Sequence, residues 1–432
     1  MGLVLLIVFL DIVGFSILFP LYPDLLDHYV SQEGSESLAG RLAAKMAELA
    51  EGDPVRVTAL FGGLLGSFYS VLQFLFAPFW GGLSDRIGRR PTLLVTLAGT
   101  VVGYLLWMFA GSFWVLVLSR LLCGIMAGNI STATAVVADV TSPKDRAKGM
   151  AMVGATIGLG FVFGPAIGGI LWNEPAPDAI WGSGFAWNPY SIPALAAFAL
   201  ATVNLVGVAL NFPETRKPSA GPAHERIRNP LAVSRRIGIP GVARTNLVYL
   251  LAFTAFGAAE FTLTFLAKDR LDFTPKQQTW IFVYTGFLIV LVQGGFVRRL
   301  APRFGEKKLA LVGLVTFLPG LVLISRAYTT GTLYAGLTFL AIASALVVPT
   351  LSALASRYAP ADRQGLVLGT FRSMGALARA VGPLLGGLLY WQLGSGAPFW
   401  IGAALIVLPI LIASGLPPVP DTDSEEGGAA EA

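Results

Sequence analysis

What this sequence has least of is the equipment of a soluble enzyme. It holds one cysteine and two histidines. With Cys123 alone no intrachain disulfide can form, so cysteine usage says nothing of redox compartment, and the residue suits packing better than reactivity. His28 and His224 fall outside the apolar runs, and no HExxH, GxSxG or P-loop pattern occurs. The expectation is a chain that is not an enzyme, with no catalytic residue, no metal, no cofactor and no ATP-driven step. Charge is scarce as well: 13% of residues are Asp, Glu, Lys or Arg, about half the ~25% usual in a soluble domain. The net charge of +5 gives no reason to expect nucleic acid as a partner.

What is present is apolar sequence, 55% of the chain, in runs of about 20 residues rich in Leu, Ala, Gly and Phe. Runs of that length read as membrane-crossing helices and not as the short alternating strands of a barrel. Twelve spans are predicted: 3–26, 57–83, 92–110, 113–138, 147–172 and 190–212, then 246–267, 278–297, 308–326, 331–355, 364–391 and 397–416. The first lacks a basic leader and a small-residue cleavage site, so it is expected to be retained. Twenty of the 30 Lys and Arg residues lie in or beside loops that follow even-numbered spans, against seven in the other loops. The positive-inside rule then puts the even loops and both termini in the cytoplasm of a multi-pass inner or plasma membrane protein.

The chain repeats itself. Leu83 to Gly88 is echoed by Leu300 to Gly305, and Asp145-Arg146 by Asp362-Arg363, each 217 positions on; Gly164-Pro165-Ala166-Ile167-Gly168-Gly169 is echoed by Gly382-Pro383-Leu384-Leu385-Gly386-Gly387, 218 positions on. Parallel repeats in so apolar a chain mark membrane transporters, whose substrate sites lie between the halves. The expected organisation is an all-α integral membrane protein: a six-helix bundle over 1–212, a basic cytoplasmic linker over 213–245, a second bundle over 246–416 and a disordered acidic tail over 417–432. In the long first outer loop, 27–56, Leu38, Leu42, Met46 and Leu49 recur at helical spacing, with Ser37 placed to cap and Gly52 to stop a surface helix.

Gly81 to Pro91 is the strongest motif. A tight turn between two helices needs glycine near the reversal, and Gly88 suits it. Asp85 is expected at a neighbouring helix N-terminus, with Arg86, Arg89 and Arg90 reaching cytoplasmic carboxylates; such contacts would gate one side of a rocking transporter. The segment resembles the loop signature of the major facilitator superfamily. Arg120 to Gly124 and Gly154 to Gly169 resemble signatures of its drug–proton antiporters. Leu10 to Gly14, Phe68 to Pro78 and Ala138-Asp139 resemble the tetracycline-exporter branch, and Gly369 to Ala380 with Glu260 to Leu263 resemble its animal tetracycline-transporter-like members. The resemblance implies proton-coupled export of small organic anions or drugs, with Asp139, Gly164, Pro165, Gly168, Gly169, Gly382 and Pro383 among the gating and hinge positions. Where bacterial tetracycline exporters carry acidic residues in spans 3 and 9 and a His in span 8, this sequence has about Gly103, Phe317 and Ile289; only Asp11 carries over, which counts against a metal–tetracycline chelate as cargo.

A charge at bilayer depth costs at least about 2.5–3.5 kcal/mol on insertion scales, so each one asks for a cavity, a partner or a function. Five such residues lie in the spans: Asp11, Arg120, Glu260, Arg372 and Arg379. Asp11 and Glu260 are the candidate proton carriers, with a fixed ion pair, Asp11 to Arg120, as the alternative. Arg372 and Arg379 lie two turns apart on one face of span 11. Together with Arg120, Gln73 and Asn129 they are the candidate substrate contacts; the alternatives are that Gln73 or Asn129 bridges helices and that the two arginines pair with Glu260 or with helix-end carbonyls. The function expected is alternating-access, proton-coupled export of amphipathic organic anions or drugs by a monomer in the bilayer; transfer of a lipid or lysolipid between leaflets, or export of neutral or cationic drugs, remain alternatives.

Overall fold

The computed structural model describes residues 1–49, 54–141, 146–172, 179–180, 185–215, 238–239, 241–360 and 363–418. Most of the 213–245 linker, the tail beyond 418, Gly52, Asp145 and Asp362 lie outside them. Ten described helices are long and apolar enough to cross a membrane. The other two predicted spans are helical as well. Span 8 is Pro275–Leu291, continued by a wider π turn, Val292–Val297, into Arg298–Phe304. Span 11 is Gln364–Leu393. A two-residue antiparallel ribbon, Ala179–Ile180 against Ala186–Trp187, lies between spans 5 and 6.

Two spans are broken where the sequence gives a local cause. Span 1 runs as Gly2–Ser16, a 3-10 turn Phe19–Leu21 and Tyr22–Glu33, because Pro20 has no N–H to donate to the preceding turn. Its last piece extends seven residues past the predicted end at 26. Span 4 runs as Phe113–Met126 and Asn129–Val140. At the break, Gly128 lies against the Trp80 ring so closely that a side chain would collide with it. The Trp80 indole N–H donates to the Ile125 carbonyl at 2.5 Å, meeting an acceptor at the interruption. The short turn between spans 7 and 8 is set by Asp272 in the left-handed region and by a capping box of Thr274 and Gln277 with Pro275 first in the helix.

The two halves repeat in geometry as well as in sequence. Gly88 and Gly305, 217 apart, precede spans 3 and 9 with φ of 109° and 78°, a region open to glycine. Arg89, first in Arg89–Met108, bonds Asp139 near the end of span 4. Its counterpart Glu306, first in Glu306–Ser325, bonds Arg357 near the end of span 10. The same pair of helix ends is thus clasped in both halves with the charges exchanged.

Small residues decide how the spans pack, as expected where lipid removes any hydrophobic drive between helices. Gly160, Gly164 and Gly168 of span 5 (Arg146–Leu171) admit span 1 at Ile12, Ser16 and Ile17, and Gly382 and Gly386 of span 11 admit Ala258 of span 7 (Val242–Leu271). Gly169 and Gly387 face the opposite half instead: Gly169 meets Thr279 of span 8, and a Cβ on Gly387 would lie 3.1 Å from Gly63 Cα in span 2 (Pro54–Ile87). The halves therefore touch backbone to backbone along spans 2 and 11 and along spans 5 and 8. Lys268 of span 7 adds an ion pair across this seam to Asp24 of span 1, at 3.5 Å. The same face carries the surface helix Leu38–Leu49, capped as expected by Ser37, whose hydroxyl accepts from the Gly40 N–H.

Candidate functional site

At the turn between spans 2 and 3, Arg89 is the centre of a cluster. Its guanidinium donates to Ser84 Oγ at 2.7 Å, Asp85 Oδ1 at 2.6 Å and Asp139 Oδ2 at 2.9 Å, tying the end of span 2 to the end of span 4. The expectation for Asp85 needs correction. Among the described residues it bonds Arg89, not a helix N-terminus. The N-terminus of span 3 is taken by Glu214, whose carboxylate accepts from the backbone N–H groups of Arg89 and Arg90 at 2.9 and 3.1 Å, where unpaired donors and the helix dipole favour an anion. Arg90 reaches the Ala209 carbonyl in the last turn of span 6, Ser191–Asn211. Glu214 escaped the sequence reading; its signal was an acidic residue at the head of a predominantly basic linker. Gly88 is needed twice over, for its φ and because a Cβ there would strike the Glu214 carboxylate.

Deep in the first half, Asp11 is buried and accepts from Asn129 Nδ2 at 2.9 Å. Asn129 opens the second piece of span 4, and its Oδ1 accepts from Thr96 Oγ1 of span 3. Of the two expectations for Asn129, substrate contact or helix bridge, the contacts fit the bridge: both ends of its amide are engaged and it has no exposed surface. Thr92, Thr96 and Thr100, all buried, form a polar stripe at four-residue spacing in span 3. That stripe was the overlooked sequence signal.

The fixed Asp11–Arg120 pair is not formed: among the described residues no ion pair within 4.0 Å joins them. Arg120, 1% exposed, lies instead over the rings of Trp107 and Tyr104, at 4.8 and 5.6 Å, and donates to Ser119 Oγ. Aromatic faces partly compensate a buried guanidinium. Gln73 is half-buried in span 2. Gly103 and Phe317 are packing residues: Gly103 faces the Cys123 thiol and Phe317 is fully buried.

The second half presents its arginines across the interface. The Arg372 guanidinium lies against Gly154 of span 5, such that a Cβ there would be 2.7 Å from both Nη atoms. The face of span 11 carrying Arg372 therefore looks at the other half, and Arg379 is two turns further along it. Arg379 is half-buried, and no hydrogen bond or ion pair holds it among the described residues; Glu260 of span 7 and Tyr249 are within its electrostatic reach. Tyr249 stacks on Phe371 at 4.0 Å and also packs against Phe253, giving the arginines an aromatic wall. Among the described residues no group of three or more His, Cys, Asp or Glu is arranged to hold a metal.

Comparison with known proteins agrees with this geometry. The model of the Major Facilitator Superfamily matches residues 4–303 and 245–432. Major facilitator superfamily domain-containing protein 10 of mouse is 33% identical over 96% of this chain and 92% of its own length, and the human protein 35% over 93% and 90%. The class C tetracycline resistance protein of Escherichia coli is 29% identical over 92% of this chain and 90% of its own length. The crystal structure of the human organic anion transporter MFSD10 (TETRAN) superposes with a TM-score of 0.75 at 33% identity, covering 95% of this chain and 98% of that one. The nucleoside transporter NupG, 13% identical over 95% of this chain and 99% of its own, shares the fold at a TM-score of 0.64.

Proposed function

The chain belongs to the major facilitator superfamily of multi-pass membrane transporters of small molecules, and from that premise we propose that it exports amphipathic organic anions in exchange for protons. The observation that carries the anion is Arg379: a half-buried guanidinium in a span, without an ion-pair partner among the described residues, on the face of span 11 that Arg372 turns toward the opposite half. Guanidinium groups in a partly dry site bind carboxylate, sulfate or phosphate by charge-assisted hydrogen bonds, and the Tyr249–Phe371–Phe253 wall suits the apolar remainder of the molecule. The similar human protein whose structure is named as that of an organic anion transporter supports the same class.

Asp11 carries the coupled proton in this proposal, with Glu260 as a second carboxyl within reach of Arg379. The halves, 1–212 and 246–416, rock about the site as rigid bodies within one monomer. The seam at Gly63–Gly387, Gly169–Thr279 and Asp24–Lys268 closes the outer side, so the arrangement fits loading from the cytoplasm. The inner cluster around Arg89 gates the other side when the halves tilt back.

The test is a ligand-stabilisation screen on the purified protein over organic anions, organic cations and lysolipids at two pH values. Organic anions are expected to raise the melting temperature most. Stabilisation confined to lysolipids would replace this cargo with a lipid, and stabilisation by cations alone would refute it. The orientation has its own check. A cysteine in place of Glu36, an exposed residue beside the surface helix, in a Cys123→Ala background should react with an impermeant reagent added outside cells; protection there, with labelling only after lysis, would reverse the topology.

A further inference from the structure

Asp11 ends in an arrangement with more capacity than one hydrogen bond needs. Thr96 has a single hydroxyl hydrogen, yet three acceptors surround its oxygen: Asn129 Oδ1 at 2.5 Å, the Thr92 carbonyl at 2.9 Å and the Leu93 carbonyl at 3.1 Å. The Asn129 amide has two faces of equal shape, one carrying two donors and the other an acceptor, and the partners alone decide which way it points. Asn129 and Thr96 have no exposed surface, so no water can make up for a lost partner.

We propose that Thr96 and Asn129 form a two-state hydrogen-bond relay that lets Asp11 take up and release its proton inside the span without leaving a buried polar atom unpaired. With Asp11 ionised, Asn129 Nδ2 donates to Asp11 Oδ1 and Thr96 donates to Asn129 Oδ1. With Asp11 protonated, the amide is turned over: the new carboxyl O–H donates to Asn129 Oδ1, Asn129 Nδ2 donates to Thr96 Oγ1, and the Thr96 hydrogen swings to the Thr92 carbonyl. One proton is added, no other bond to hydrogen breaks, and every group keeps a partner in both states. Asn129 and Thr96 are positioning residues here, and the inference rests on the reading of Asp11 as the proton carrier.

The other groups near Asp11 do not supply this. Tyr69 of span 2, Tyr104 of span 3 and Cys123 of span 4 are within its electrostatic reach, and Arg120 is held by its aromatic neighbours. The second piece of span 4 has Asp139 only near its far end. Span 5 has ionisable residues only at Arg146 and Lys148 in its first turn, and span 6 has none within Ser191–Asn211.

The test is an infrared titration of the purified protein in lipid, following the protonated-carboxyl band that Asp11→Asn removes. Thr96→Val has the same shape and lacks the hydroxyl, so the fold stands. In the protonated arrangement it leaves an amide N–H without an acceptor, and in the ionised one only an oxygen short of a donor; buried orphan N–H groups are the rarer and more costly of the two. The midpoint is expected to move to lower pH by on the order of one unit, a roughly tenfold loss of proton affinity. Thr96→Ser should titrate like wild type. Asn129→Leu removes the donor to the ionised carboxylate, a charge-assisted bond, and should move the midpoint the other way. An unmoved Thr96→Val midpoint, or shifts of both variants in the same direction, would overturn the relay while leaving Asp11 as proton carrier. A wild-type protein with no band sensitive to Asp11→Asn would instead remove the proton reading and the relay with it.

Discussion

Asp11→Asn is expected to abolish uphill, pH-driven transport while substrate binding and downhill exchange persist. Asparagine keeps the size and the hydrogen-bonding reach of the carboxyl, so it can still meet Asn129 at the position where Asp11 now lies 2.9 Å from Nδ2. It cannot bind and release a proton. A transporter whose coupling ion has no carrier group still alternates with substrate bound, but the pH gradient no longer biases the direction of net flux. The measurement is accumulation of a labelled organic anion in vesicles holding the reconstituted variant. With an imposed pH gradient, accumulation should fall to the level of vesicles without a gradient, and counterflow driven by unlabelled substrate should remain. The absence of an Asp11–Arg120 ion pair among the described residues matters here: a neutral side chain at position 11 breaks no salt bridge, so lost accumulation could not be ascribed to an orphaned arginine. Full proton-driven accumulation by Asp11→Asn would remove Asp11 as the carrier and transfer the role to Glu260.

The fold was legible because bilayer physics leaves few choices. A run of about 20 apolar residues crosses a bilayer as a helix, and the repeat offset relates the spans of one half to those of the other. Gly169 and Gly387 illustrate what the repeat alone does not give. Both belong to copied motifs whose other glycines pack within a half, yet these two seat against the opposite half; the direction a glycine faces depends on helix rotation, which small residues do not encode. The breaks were hidden for a related reason. Pro20 and Gly128 lie inside apolar runs that hydropathy treats as continuous, and the break at Gly128 becomes intelligible only when Trp80 of span 2 is beside it. The intramembrane ionisable residues were all legible, since each is rare against its surroundings. Their partners were not. Asn129 stays open between substrate contact and helix bridge in the sequence because a lone amide in a span suits a cavity as well as it suits Asp11. Thr96 and Glu214 were passed over because a threonine in a helix and a glutamate in a loop are unremarked one at a time; the stripe from Thr92 to Thr100 and the helix start at Arg89 make them significant.

The second large effect is expected at Arg379. Arg379→Ala should weaken binding of amphipathic anions roughly 10- to 100-fold, the loss that one or two hydrogen bonds to a charged group, about 1.5–3 kcal/mol, would bring, while neutral compounds of similar shape lose little. The reason lies in the balance of charge on this face. Arg372 is packed against Gly154 and limited in where it can reach. Arg379 lies two turns along the same helix, half-buried and without an ion pair among the described residues, and its acidic neighbour within electrostatic reach is Glu260. Arg379→Lys keeps the charge and loses the planar fork that pairs two oxygens at once, so it should recover only part of the affinity. Isothermal titration of wild type, Arg379→Ala and Arg379→Lys with one carboxylate, one sulfate and one uncharged amide of the same skeleton separates charge from shape. Equal affinities of wild type and Arg379→Ala for both anions would remove the guanidinium from the site. A uniform loss across anions and the uncharged amide would assign Arg379 to holding span 11 in place, and the choice of anions as cargo would lose its physical ground.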